Sequence, residues 1–161
     1  MGERILSKED EDVSLLVQKQ LEAEGVKFFL GHKAVSFKKN ELICEFNGQN
    51  IVIEFDNVLV AVGRMANTKG FGLEELKIEV RKNGTIKANE YLQTNYPNIY
   101  VCGDVTGPFQ LTHFASHQAW YCAVNGLFSP FKRFKVDYSV IPWVTYLEPE
   151  VATVGINETQ A

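Results

Sequence analysis

The sequence predicts an α/β chain with α+β pieces mixed in, and three observations lead there. Two apolar runs of strand length each end in a glycine: residues 58–62 before Gly63, and residues 99–102 before Gly103. Residues 7–25 and 111–128 read as helices. Asn47-Gly48 and Asn83-Gly84, each between two short runs, are hairpin signals. The 161 residues suffice for one ordinary domain with its own core. A hydrophobic content of 45% and a charged content of 22% are globular values. The net charge is −4, and basic residues come only in pairs such as Lys38-Lys39, Arg81-Lys82 and Lys132-Arg133. That pattern reads as solvated surface and argues against nucleic acid as the main partner. No apolar run approaches the ~18 residues of a membrane span.

In chain order, Ser7 is the expected N-cap of the first helix. Glu9, Asp10, Glu11 and Asp12 crowd its first turn, where the helix dipole favours negative charge. Val13, Leu16, Val17 and Leu21 form its apolar stripe, and Gly25 is its expected C-cap. Residues 26–30 follow as a buried strand. Residues 34–37, 42–46 and 51–55 read as a three-stranded meander. The run 58–62 is apolar throughout, as in a strand covered on both faces. Residues 73–76 form a helical turn, and 78–80 with 85–88 a hairpin. Ser129-Pro130 ends the second helix. Residues 136–141, 143–146 and 151–155 are the last expected strands.

The stretch carrying the chemistry is 94–120. Asn95, Pro97 and Asn98 introduce the apolar run, and Gly103-Asp104 ends it. Gly103, with no Cβ, lets another molecule approach the backbone. Asp104 then sits at a strand C-terminus, where α/β sheets place ligands. The helix from Leu111 offers unpaired N–H groups in its first turn. A carboxylate beside a glycine and a helix N-terminus can hold a polyol and a polar ring edge together. The plainer reading of Gly103-Asp104 is a structural turn.

Thr94, Pro97, Ile99, Tyr100, Val101, Gly103 and Asp104, followed by Leu111-Thr112-His113-Phe114-Ala115, resemble the second flavin-binding segment of the pyridine nucleotide–disulfide oxidoreductases. That family includes glutathione reductase, dihydrolipoamide dehydrogenase and mercuric reductase. Ala61, Gly63, Arg64, Asn67 and Thr68 resemble its crossover from the NAD(P)H domain to the FAD domain, with Ala66 where many relatives carry Pro. Residues 140–146 and 149–155 resemble the opening of its dimerisation domain. The resemblance implies an α/β fold made of incomplete NAD-domain and FAD-domain halves with the start of an α+β dimerisation domain. Residues 1–65 would be the C-terminal part of the NAD(P)H-binding domain, 66–136 that of the FAD-binding domain, and 137–161 the start of the dimerisation domain.

By the same resemblance, Asp104 would hydrogen-bond the ribityl chain of FAD, with Gly103 and Ala115 beside it. Leu111, Thr112 and His113 would face the pyrimidine edge of the flavin. Gly63 would let cofactor near the backbone. Arg64 would either face the nicotinamide nucleotide or anchor the crossover. The Val144 carbonyl would lie near the nicotinamide, and Glu158 would fall in the first turn of the next helix. Implied cofactors are FAD and NAD(P)H. The implied chemistry is hydride transfer from NAD(P)H through FAD to a disulfide, a metal ion or another acceptor.

The sequence also departs from the family. It carries no G-x-G-x-x-G fingerprint, no pair of cysteines separated by four residues, and no C-terminal His-Glu acid/base pair. Thr112-His113-Phe114 matches no classical subfamily at the flavin edge. The chain is therefore expected to be a piece of a longer protein and inactive alone, with no catalytic residue of its own. Strands cut from their neighbours predict a homodimer or strand exchange. His113 and His117 lie four apart on one helix, but a metal needs a third ligand that the sequence does not supply. Cys44, Cys102 and Cys122 are expected as buried, reduced thiols in a cytoplasmic protein.

Overall fold

The computed structural model describes residues 2–157 and 160–161. The expectation for Glu158 lies outside them. The element order is α1 (Glu11–Ala23), β1 (Lys33–Lys38), β2 (Glu41–Phe46), β3 (Gln49–Glu54), α2 (Thr112–Phe128), β4 (Trp143–Thr145) and β5 (Val151–Thr153). The chain divides into two compact units. One takes residues up to Val62 together with those from Val144 onward, and the other is Gly63–Trp143.

In the first unit, the N-cap of α1 lies three residues later than Ser7. Asp10 is the N-cap residue, in extended conformation and without a side-chain cap bond. Ser14 explains the shift: its hydroxyl donates to the Ile5 carbonyl at 2.7 Å, tying the preceding loop to the helix. The C-terminus is as the sequence predicts. Gly25, at φ +95°, donates to the Glu22 carbonyl, and Val26 donates to that of Leu21, the paired bonds of a Schellman motif. Of the apolar stripe, Val17 is fully buried but Leu16 remains 61% exposed.

β1, β2 and β3 form an antiparallel meander in that order, with a register irregularity between Ala34 and Ser36. Asn47 and Gly48 both have positive φ, as a two-residue type I′ turn requires. β4 and β5 pair as a separate two-stranded sheet.

Two expected strands do not form. Residues 26–30 and 58–62 take no β-ladder. Leu59 and Val62 are 90% and 89% exposed. A strand of this kind is stabilised by neighbours on both edges and cover on both faces, and none is present among the described residues.

In the second unit, Ile78, Ile86 and Val101 bury together, with Leu73, Ala88, Ile99 and Val105 packed against them. The expected hairpin is reduced to one antiparallel bridge, Val80 to Ile86. Arg81 closes it: its guanidinium donates to the carbonyls of Ile86 at 2.6 Å and Thr106 at 3.1 Å. Arg81 is therefore a clamp rather than the solvated charge its pairing with Lys82 suggests. The expected strand 136–141 is an irregular segment. The Asp137 carboxylate accepts from the Ser139 N–H at 2.9 Å, an Asx turn that competes with extended pairing.

Asn125 on α2 fastens two distant segments. Its amide donates to the carbonyls of Tyr91 at 3.1 Å and Phe134 at 2.8 Å, and its Oδ1 accepts from the Phe134 N–H at 2.7 Å. It is 1% exposed. An Asn125→Leu substitution strands all three partners. We expect it to lower stability by about 2–3 kcal/mol in urea unfolding, while Lys82→Ala stays within about 0.5 kcal/mol. Equal midpoints for the two variants would remove Asn125 from this role.

Candidate functional site

The turn at residues 103–107 is set between a strand-like segment and α2. Tyr100 forms an antiparallel bridge with Gln93, and the Val101 N–H donates to the Leu92 carbonyl at 2.9 Å. Gly103 then turns the chain at φ +81°, in the left-handed region that favours glycine. Its carbonyl accepts from the N–H groups of Thr106 at 3.0 Å and Gly107 at 3.3 Å.

Gln118 fixes both ends of this turn. The Gly103 N–H donates to Gln118 Oε1 at 2.6 Å. Gln118 Nε2 donates to the Gly107 carbonyl at 3.0 Å and to the Tyr138 hydroxyl at 2.9 Å. Gln118 is 0% exposed. A Cβ on Gly103 would sit 3.4 Å from Ala115 Cβ. That is van der Waals contact, so glycine is needed here for its dihedral and not for space.

Asp104 emerges from the turn half-exposed. Its Oδ2 accepts from Arg64 Nη1 at 3.2 Å, with the side chains 46% and 69% exposed. So exposed a pair contributes less than about 1 kcal/mol of stability. Its effect is to orient the carboxylate. Arg64 is thus brought to Asp104 from 40 residues earlier in the chain. Gly63, at φ +122°, has nothing within 4 Å of where a Cβ would be.

α2 opens beside this turn. Leu111, its N-cap residue, is extended and has no polar side chain to cap the first-turn N–H groups. Thr112 and His113 are exposed, and Ala115 is half-buried. Phe114 is fully buried, with its ring 5.1 Å from those of Phe109 and Tyr138. His113 Nε2 donates to the Pro142 carbonyl, and His117 Nε2 to that of Asp137 at 2.8 Å. The two histidines hold residues 137–142 against α2. No group of three metal-ligating side chains occurs among the described residues.

The structure therefore assembles Arg64, Gly103, Asp104 and Ala115 around the turn, with the first-turn residues of α2 following. Val144 lies in β4 within the other compact unit, 37% exposed. A Cβ on Gly126 would sit 3.9 Å from the Tyr100 ring, and Ala119, Ala123 and Gly126 are all exposed. The Gly70-x-Gly72 pair is a local turn, with the Gly70 N–H donating to the Glu74 carboxylate at 3.1 Å.

Burial pushes the Tyr138 hydroxyl up from its usual range, opposed by the Gln118 hydrogen bond. The Ser139 N–H holds Asp137 below the usual carboxylate range.

The pyridine nucleotide-disulphide oxidoreductase family model matches residues 1–119. The chain belongs to this family. It is 35% identical over 162 residues to a dihydrolipoyl dehydrogenase of Chlamydia muridarum, covering 99% of this chain and 34% of that protein. It is 36% identical over 167 residues to a mercuric reductase of Staphylococcus aureus, covering 99% of this chain and 30% of that protein. Among solved structures, a Cu(II) complex of the HOCl-induced flavoprotein disulfide reductase RclA of Escherichia coli superposes with TM-score 0.81 at 25% identity. That match covers 99% of this chain and 37% of the other. The chain thus spans about a third of the length of these relatives. The α/β character expected from the sequence holds as a fragment of this larger fold.

Gln118 carries the geometry of the turn, yet nothing in the family pattern marks it. The only signal was a polar residue four positions after Phe114, on a face that otherwise buries. Gln118→Leu keeps the volume and leaves the Gly103 N–H and Gly107 carbonyl without partners. We expect a loss of about 2–3 kcal/mol, read by thermal unfolding. The Gly103 amide should also exchange with solvent faster than the Val101 amide. Unchanged exchange at Gly103 would show that another group holds the turn.

Proposed function

We propose that the full-length protein passes a hydride from NAD(P)H through FAD to a disulfide, a metal ion or another acceptor, and that this chain supplies the ribityl and ring-edge part of the flavin site. The carrying observation is the Gly103–Asp104 turn, pinned by Gln118 at the opening of α2, with Arg64 orienting the carboxylate. The residues fit the group. Asp104 presents a half-exposed acceptor for a polyol hydroxyl, and Gly103 keeps the backbone bare. The Thr112 and His113 N–H groups at the helix N-terminus favour negative charge on the ring edge. FAD, when bound, supplies the hydride-accepting ring. The protein's part is to bind, orient and stabilise charge.

In this reading Leu111, Thr112, His113 and Ala115 line the ring side. Asp104 and Gly103 hold the polyol, Gly63 and Arg64 border the nucleotide, and the Val144 carbonyl serves the nicotinamide. Residues 1–65, 66–136 and 137–161 belong to the NAD(P)H-binding, FAD-binding and dimerisation domains of the whole protein. The whole protein works as a cytoplasmic homodimer, without nucleic acid and without a metal held by this segment. No helix among the described residues is long and apolar enough to cross a membrane.

The second reading is that the chain by itself is a non-catalytic structural piece with a partial flavin groove. The unpaired apolar run 58–62 favours it, as does the lack of any phosphate-binding glycine fingerprint.

The visible absorption spectrum after incubation with FAD and removal of excess tests the first reading. We expect a retained flavin band. We also expect affinity to fall about tenfold or more in Asp104→Ala, the scale of a lost hydrogen bond to a charged group. A colourless protein, or a band indifferent to Asp104→Ala, would overturn the half-site and leave the structural reading.

A further inference from the structure

The flavin reading makes no use of the three cysteines, and two of them lie together. Cys44 is buried in β2, Cys102 is exposed and Cys122 is partly buried. Cys102 stands between Val101 and Gly103, and both of these neighbours are fixed to α2. The Cys122 thiol donates to the Val101 carbonyl at 3.6 Å. The Gly103 N–H is held by Gln118 at 2.6 Å, and the Gly103 Cβ position faces Ala115 at 3.4 Å. The strand end is therefore pinned along the helix on either side of Cys102, and the Cys122 thiol lies against the carbonyl of the peptide that joins Val101 to Cys102. No other pair of cysteines among the described residues is brought together in this way.

We propose that Cys102 and Cys122 form a thiol–disulfide switch: a modification site at which a low-molecular-weight disulfide converts the pair into a cross-link between the Gly103–Asp104 turn and α2. The exposed Cys102 reacts first. Its thiolate attacks one sulfur of the small disulfide, forming a mixed disulfide and releasing one thiolate. Cys122 then gives up its proton to that departing thiolate and attacks the Cys102 sulfur. The Cys102–Cys122 bond forms as the second small thiol leaves. In balance, two protein thiols are oxidised and one small disulfide is reduced to two thiols.

The order follows from the surroundings. Burial above all, with the neighbouring Cys102 adding to it, pushes the Cys122 thiol up to about 12. Cys122 is thus a poor first nucleophile.

The test is intact-mass and peptide mapping of the chain treated with oxidised glutathione under native conditions. We expect a product lighter by two hydrogens, with the peptides of Cys102 and Cys122 joined and Cys44 still free. A limiting alkylating agent should label Cys102 at least about tenfold faster than Cys122. Cys122→Ala should stop at the glutathione adduct on Cys102. A stable adduct on Cys102 in the unsubstituted chain, no reaction, or a cross-link involving Cys44 would overturn the proposal. The unsubstituted chain decides the matter alone, so a variant that fails to fold does not blur the result.

Discussion

The bond from the Gly103 N–H to Gln118 Oε1 is the constraint on which the second unit depends. A left-handed residue at a strand end leaves its own N–H pointing away from any ladder. Buried, that donor costs about 1–3 kcal/mol if unmade. Gln118 satisfies it from α2, and with its amide also takes the Gly107 carbonyl and the Tyr138 hydroxyl. One side chain thereby joins the strand end, the turn and the segment that follows α2. Asp104 has a defined direction because the residue before it has no freedom to rotate.

The rest of α2 repeats this logic. Asn125 binds the segments around Tyr91 and Phe134. His113 and His117 bind the carbonyls of Pro142 and Asp137. Phe114 supplies the apolar anchor between them. The helix is held by polar side chains reaching loop backbone on several sides, so little regular sheet is needed around it. Such satisfied networks rigidify the elements they join. Rigidity is what the proposed flavin edge requires.

Local chemistry was legible in the sequence. Gly25 and Asn47-Gly48 adopt the dihedrals their types demand, because the deciding interactions lie within a few residues. Gly103-Asp104 was legible as a turn that closes a strand-like run, because Gly103 takes the left-handed dihedral that favours glycine. What was not legible depends on distant partners. The runs 26–30 and 58–62 have strand composition, but composition cannot supply neighbours. Gln118, Asn125 and Arg81 read as ordinary polar residues until the fold shows which backbone groups they meet. Arg64 meeting Asp104 is of the same kind. Both residues were expected at the cofactor, but their direct pairing was not.

The central claim is that this chain recognises the ribityl and ring portion of a flavin dinucleotide, and not its adenylate. Calorimetric titration with riboflavin and, separately, with AMP separates the two most directly. The account predicts saturable heat for riboflavin and none for AMP. Heat for AMP with none for riboflavin, or none for either, would contradict it.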